Sequence, residues 1–302
     1  MSQVLSQAAK ALPRSSGGEP LIPGEFSLTR DDFRRISQMI YADAGIHLTE
    51  GKAALVYARL AKRLRTLRLQ AFRDYCELVA SPEGADERQE MLTSLTTNVT
   101  KFFREPHHFE HLKTNILAPL QQQGGRGLRL RFWSAACSTG QEPYSIAFTL
   151  LSHWPEAASL DVKILATDID RHVLATAQAG VYAESLLEGV GAEIRRKFFE
   201  PAAGDRASLR VVESVRRLIT FRPLNLIETW PMQGPFHAIF CRNVVIYFDE
   251  PTQQGIWDKF VPRLASEGAL YIGHSERVTG AAAAHLRSEG VSTYRLQGGR
   301  RR

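Results

Sequence analysis

Apolar residues recur at helical intervals along the first third of the chain, then give way to strand and helix in alternation after Gly127. Thr29 and Asp32 stand at capping-box spacing ahead of Phe33, Ile36 and Ile40, which predicts a helix there. A second helix is predicted from Thr49, with Leu55, Leu60, Leu64 and Leu67 on one side. Shorter helices follow around Phe72 to Val79 and Glu87 to Leu95, split by the turn signal "SPEG". Pro106 suits the first turn of another helix running to about Leu120, and "QQQGGRG" then reads as a linker.

Beyond Gly127, "LRLRFWSAA", "VKILATDID", "RRLITFRPLNL", "FHAIFCRN", "GALYIGH" and "STYRLQ" read as strands. "EPYSIAFTLLSHW", "RHVLATAQAG" and "TQQGIWDKFVPRL" read as helices between them. Such alternation predicts an α/β fold: a mostly parallel, Rossmann-like sheet with helices on both faces and an antiparallel pair at the C-terminal edge. Residues 180–216 break the alternation and read as an inserted element. The expected division is a disordered tail (1–25), a helical domain (26–95), a linker and connecting helix (96–126), an α/β domain (127–297) and a basic tail (298–302).

Composition narrows this little. The chain has 302 residues, enough for one large or two modest domains, and is 44% hydrophobic and 23% charged, as ordinary globular proteins are. No run approaches the roughly 20 apolar residues that span a bilayer. The N-terminal stretch lacks the apolar core and cleavage site of a signal peptide. Cys76, Cys137 and Cys241 are far apart and form no C-x-x-C, which fits a reducing cytoplasm without metal or disulfide. The net charge of +6 suggests an acidic partner, either nucleic acid or an acidic protein surface.

The chemistry sits after the first strand of the alternating region. In open α/β sheets, ligands bind beyond the carboxyl ends of the strands. There the chain reads "CSTGQEP": Gly140 permits a tight turn and close approach of a ligand, but the other glycines of a dinucleotide fingerprint are missing, and no G-x-x-x-x-G-K-[ST] occurs. Glu142 stands where a phosphate would need no negative charge, so a cation is favoured over an anion. The next strand ends in "ATDID", where an acid commonly accepts hydrogen bonds from ribose hydroxyls; Asp168 comes first. A nucleoside with positive charge and no phosphate describes S-adenosylmethionine. On this stretch alone, an ordinary α/β turn with a capping acid fits equally well.

Five segments extend the comparison: "LTTNVTKFFREPHHF", "SAACSTGQEPYSIA", "ATDID", "GPFHAIFCRNVVIYFD" and "GHSE", in that order. Over about Phe26 to Leu296 the sequence resembles the chemotaxis receptor glutamate methyltransferases, the CheR family. The resemblance implies an all-α N-terminal domain, then a class I S-adenosylmethionine-dependent methyltransferase sheet with an inserted small β-subdomain. It implies Asn98, Thr100 and Arg104 near the cofactor, Glu142 and Asp168 at its amino-acid tail and ribose, Asn225 and Leu226 near the adenine, Arg242 and Asn243 at the next strand end, and Tyr247 near the transferred methyl. Arg104 and Tyr247 would be the catalytic residues. Gln141 stands where relatives often carry an acid, removing one negative charge.

By the same resemblance the substrate is a glutamate γ-carboxylate on the cytoplasmic helices of methyl-accepting chemotaxis receptors, and the products are a methyl ester and S-adenosylhomocysteine. The stretch from Lys52 to Arg68 bears Lys52, Arg59, Lys62, Arg63, Arg65 and Arg68. The expectation is a basic docking face, with Arg59, Lys62 and Arg63 central. The inserted β-subdomain is a candidate holder of a receptor tail by strand addition. A nucleic-acid methyltransferase is the alternative, but the chain lacks [DNS]-P-P-[YF] and the Pro-Cys nucleophile of cytosine enzymes. Bland readings compete residue by residue: Arg104 as partner of Glu105 or Glu110, Arg242 as a surface cation, Asn243 as a helix cap, Tyr247 as core. His107 and His111 at i and i+4 suggest a metal pair without a third ligand, and His274, Ser275 and Glu276 a turn rather than a triad. Cys241 reads as a buried small hydrophobe.

Overall fold

The computed structural model describes residues 20–124 and 127–297, with the backbone alone at Arg206. The expected basic tail, residues 1–19 of the expected disordered tail, and part of the linker lie outside the described residues. The chain divides into two units: one holds the residues up to Asp43 with Leu48–Thr96, the other Ala44–His47 with the residues from Thr97 onward.

In the first unit, β1 (Pro20–Ile22) pairs antiparallel with β2 (Leu28–Thr29), so the expectation of disorder fails over this stretch. The hairpin leads into α1 (Arg30–Ala44) through the capping box: the Asp32 amide donates to Thr29 Oγ1 at 3.1 Å, and the Thr29 amide donates back to Asp32 Oδ2 at 3.2 Å. A 3-10 turn at Glu50–Lys52 precedes α2 (Ala53–Leu67). The buried stripe of α2 is Ala53, Val56, Leu60, Ala61 and Leu64. Leu55 is 40% exposed, so the expected leucine stripe is corrected by one position: Val56, not Leu55, lies on the line through Leu60 and Leu64. α3 (Phe72–Ala80) and α4 (Ala85–Leu95) are joined at Ser81, whose hydroxyl accepts from the Gly84 amide. A Cβ on Gly84 would lie 1.9 Å from the Leu78 carbonyl oxygen, so only glycine permits this turn.

In the second unit, Pro106 opens a helical run of α5 (His107–His111), a π-helical stretch (Leu112–Leu117) and α6 (Ala118–Gln123). Then follow β3 (Arg129–Ala135), α7 (Gln141–His153), β4 (Asp161–Asp168) and α8 (Arg171–Ala179). A small antiparallel sheet in the order β5-β7-β6 comes next, built from β5 (Val181–Ala183), β6 (Phe199–Ala202) and β7 (Asp205–Val211), with α9 (Ala192–Phe198) between β5 and β6. After α10 (Glu213–Arg216) the chain resumes the main sheet with β8 (Ile219–Pro223), β9 (Phe236–Cys241), α11 (Glu250–Phe260), β10 (Leu264–Ile272), β11 (Leu286–Gly290) and β12 (Thr293–Leu296).

The main sheet runs β11-β12-β10-β9-β3-β4-β8. Neighbours from β10 to β8 are parallel, and β12 and β11 add antiparallel at one edge. This is the expected α/β class with its inserted β-sheet; β11 was not anticipated. The β3 run is apolar because both faces are covered. Trp133 packs on Trp230, Phe236 and Phe260, while Phe132 joins the opposite core with Tyr144 and Phe148. From β3 the chain builds through β4 to β8 on one side, then returns to lay β9 and β10 on the other. The switch point is therefore the crevice between β3 and β9.

Candidate functional site

The turn after β3 is tightly wound. Ala136, Ser138 and Gly140 all have positive φ, at 63°, 50° and 95°. A Cβ on Gly140 would meet Ala177 Cβ at 2.7 Å and Tyr182 Oη at 2.9 Å. The glycine is thus required by packing against α8 and β5 as well as by its positive φ.

Asp168 ends β4 and turns its carboxylate into this turn. Oδ2 accepts from the Ser138 amide at 2.8 Å and Oδ1 from the Asp170 amide at 3.0 Å. Burial pushes its pKa up to about 6 against the pull of these amides. The neighbouring acid plays a different part, since Asp170 caps α8 and accepts from the His172 and Val173 amides. Asn98 Nδ2 donates to Asp170 Oδ2 at 2.9 Å, and the Asn98 carbonyl accepts from Ser138 Oγ at 2.8 Å. Asn98 and Asp168 are thereby brought to one loop cluster.

Glu142, in the first turn of α7, accepts from Ser134 Oγ at 2.7 Å and from Arg242 Nη1 at 3.0 Å. Burial raises its pKa, with Arg242 opposing. Arg242 follows β9 directly, and its side chain is only 2% exposed, so it is no surface cation. Its Nη2 lies 3.4 Å from Glu105 Oε2 and donates to the Arg104 carbonyl. One guanidinium therefore ties the β9 end to α7 and to the Arg104–Glu105 backbone, where Phe103 and Glu105 both have positive φ. Arg104 itself is off any helix, and its Nη1 donates to the Val99 carbonyl at 3.1 Å. Among the described residues it pairs with neither Glu105 nor Glu110.

Thr100 is partly exposed on the same segment. Asn225 and Leu226 follow β8; Leu226 is buried and Asn225 Nδ2 donates to Glu228 Oε1 at 3.1 Å. Asn243 is not a helix cap: it has φ 59° just past β9, and its buried Oδ1 has no hydrogen-bond partner among the described residues. Tyr247 closes a 3-10 turn at Val245–Tyr247 rather than lying in the core, and its carbonyl accepts from the His47 amide at 2.8 Å. Asn98, Glu142, Asp168, Asn225, Arg242, Asn243 and Tyr247 all sit at or just beyond the carboxyl ends of the parallel strands or on segments tied to them.

His107 and His111 are not brought together as a metal pair. His111 bonds Tyr271 and Glu289, each at 3.0 Å. Glu105, His107 and His108 do place ligand atoms within 4.8 Å of one another, but the Arg242 cation beside Glu105 opposes a second positive charge. His108 is fully buried, and burial with Arg242 holds its pKa down to about 3. His274 bonds Glu105, not Glu276, which excludes a triad. Cys241 is buried and its thiol pushed up by burial. Glu105 and Glu276 are residues at these strand ends whose contacts sequence reasoning misses. Both lie inside the family-like segments, yet nothing in their spacing shows that one borders Arg242 and the other holds a turn.

The expected docking residues divide. Arg63 Nε donates to Glu87 Oε1 at 2.9 Å, and Arg59 Nη1 to the Thr96 carbonyl at 2.7 Å, so both face inward onto α4 and its end. Lys62 and Arg68 are exposed. The basic face is thus narrower than its sequence suggests, because two of its cations hold the unit together.

Comparison with known proteins decides the family. The profile "CheR methyltransferase, SAM binding domain" matches residues 98–294, and "CheR methyltransferase, all-alpha domain" matches 31–96. The chain belongs to the CheR methyltransferase family. A "Probable chemotaxis protein methyltransferase" from Rhizobium etli is 57% identical over 258 residues, covering 85% of this chain and 96% of its own. "Chemotaxis protein methyltransferase 2" of Pseudomonas aeruginosa is 46% identical, covering 89% and 94%. "Chemotaxis protein methyltransferase" of Escherichia coli is 44% identical, covering 83% and 85%. This CheR protein is therefore an S-adenosylmethionine-dependent methyltransferase of chemotaxis. No helix among its described residues is long and apolar enough to cross a membrane.

The site fits that cofactor. Glu105 and Glu142 flank Arg242, while Asp168 and Asp170 stand in the turn beyond β4 beside Ser138 and Asn98, so carboxylates of the kind that meet a sulfonium, an ammonium or ribose hydroxyls lie at the strand ends. Buried Asn243 Oδ1 and Arg242 Nε have no partner among the described residues and offer an acceptor and a donor.

Proposed function

We propose that this enzyme methylates γ-carboxylates of glutamates on the cytoplasmic helices of methyl-accepting chemotaxis receptors, to which it is recruited in the cytoplasm. The cofactor supplies an electrophilic methyl on sulfur. The products are a glutamate methyl ester and S-adenosylhomocysteine.

The observation that carries this reading is the unneutralised cation at the site's mouth. Arg104 spends its guanidinium on a carbonyl and forms no ion pair among the described residues, leaving its charge for an incoming carboxylate. A glutamate with a pKa of about 4.3 is already ionised near neutrality, so attack needs no general base. The residues' work is alignment and electrostatics. Asp168 accepts from the ribose, Glu142 faces the amino-acid tail, Asn225 and Leu226 border the adenine, and Thr100 and Asn98 close over it. Arg104 steers the substrate carboxylate and Tyr247 donates a hydrogen bond beside it. Lys62 and Arg68 present the charge that meets an acidic receptor helix. The edge strands β5 and β6 offer backbone for a receptor tail to add as a further strand.

The test is transfer of labelled methyl to receptor-bearing membranes, followed by mild alkali. A carboxyl ester releases volatile labelled methanol. A methylated base, as a nucleic-acid methyltransferase would make, releases none, and that result overturns the reading. Arg104→Ala is expected to lower turnover by about tenfold or more.

A further inference from the structure

Glu276 sits at a turn just past β10, and its carboxylate reaches back under the turn that follows β9. Oε1 accepts from the amides of Val244 at 2.9 Å, Val245 at 2.8 Å and Ile246 at 3.4 Å. Oε2 accepts from the Asn243 amide at 3.0 Å and from the Gly273 amide. The Glu276 amide in turn donates to the Gly273 carbonyl at 2.9 Å, so the residue is held by its backbone and by its carboxylate. Glu276 is 7% exposed.

Four successive amides converging on one carboxylate form an anion-binding concavity filled from within. Secondary structure does not require it, because β9 ends at Cys241 and the 3-10 turn begins only at Val245. What the concavity does is fix the path of residues 243–246. Asn243 is thereby held at φ 59° with its buried Oδ1 unpartnered among the described residues, and Tyr247 is set at the end of the turn. Gly273 belongs to the same device: a Cβ there would lie 2.5 Å from Asn243 Nδ2, 2.8 Å from its amide nitrogen and 2.9 Å from Glu276 Oε2.

We propose that Glu276 is a positioning residue for methyl transfer, binding the Asn243–Ile246 amides so that Asn243 meets the cofactor and Tyr247 meets the reacting methyl. The inference rests on the site assigned above. Glu276→Gln replaces one accepting oxygen with a donor that opposes the amides, and Gly273→Ala keeps the carboxylate but crowds both Asn243 and Glu276 Oε2.

The full-length variants are compared by thermal unfolding, by calorimetry with S-adenosylhomocysteine, and by kinetics on receptor membranes. Both variants are expected to keep one cooperative unfolding transition. Both should show a kcat lowered about tenfold or more, affinity for S-adenosylhomocysteine weakened about fivefold, and a receptor KM within about threefold of wild type. A purely structural carboxylate would change the unfolding temperature but not kcat per folded molecule. Wild-type kcat and affinity in either folded variant overturn the proposal, and so does loss of cooperative unfolding in both, which would make Glu276 a folding determinant. Should wild type bind S-adenosylhomocysteine yet yield no methanol, the proposed function fails, and the affinity comparison alone decides this proposal.

Discussion

Glu142, Arg242 and Glu105 form a row of alternating charge beneath the site, with Arg242 nearly inaccessible. Removing its guanidinium leaves two carboxylates with little water to solvate them. Arg242→Gln is expected to cost about 3 kcal/mol of unfolding free energy near pH 8. The loss should shrink toward pH 5 as the stranded acids take up protons, and urea denaturation at both pH values checks this. Asp168 gives a second pH signature. Its folded pKa of about 6 exceeds the ordinary value of about 4. Between those values the folded state holds a proton that the unfolded state releases, so this group lowers stability as pH rises through the window. Cofactor binding has the opposite sign, because ribose hydroxyls need the carboxylate. Affinity for S-adenosylhomocysteine should fall about tenfold from pH 8 to pH 5, and a pH-independent affinity would remove Asp168 from the ribose. The place of Asp168 at the end of β4 was legible from the strand pattern, and its contact with a ribose is part of the proposed function. The contacts of Arg242 were not legible: sequence shows a charge but not the two carboxylates, Glu142 and Glu105, that come to it from a hundred or more positions away.

At the scale of elements, the α2 helix shows where pattern reading succeeds and where it slips. Helical periodicity placed the element, but a rotation of one residue, about 100°, decides which cation faces solvent. Arg63 is directed at Glu87, which also accepts from Tyr75 Oη at 2.9 Å. Arg63→Ala should therefore destabilise the protein by about 3 kcal/mol, read by chemical denaturation, rather than act through docking. The docking test belongs to the exposed positions. Lys62→Glu with Arg68→Glu is expected to raise the receptor KM about fivefold or more at low salt, with affinity for S-adenosylhomocysteine unchanged. An unaltered KM would place the receptor elsewhere. The parallel strands were legible because both faces of the sheet demand apolar runs. The β1–β2 hairpin and β11, "LRSEG", were not: they are short, and β11 is mostly polar, so only pairing with a neighbour makes it a strand.

For the whole molecule, a net charge of +6 left nucleic acid and acidic protein equally open. The family match, with its chemotaxis methyltransferase relatives, favours the protein partner, and several cations are spent on internal pairs such as Arg63–Glu87, Arg88–Asp43 and Arg242–Glu142. The central claim is that the crevice between β3 and β9 holds the cofactor. Calorimetric titration with S-adenosylhomocysteine tests it most directly, comparing wild type with Glu142→Gln and Asp168→Ala at pH 8. The account predicts one site per chain in wild type and affinity weakened about tenfold or more in each folded variant. Absence of binding by folded wild type, or equal affinity in all three proteins, would contradict it.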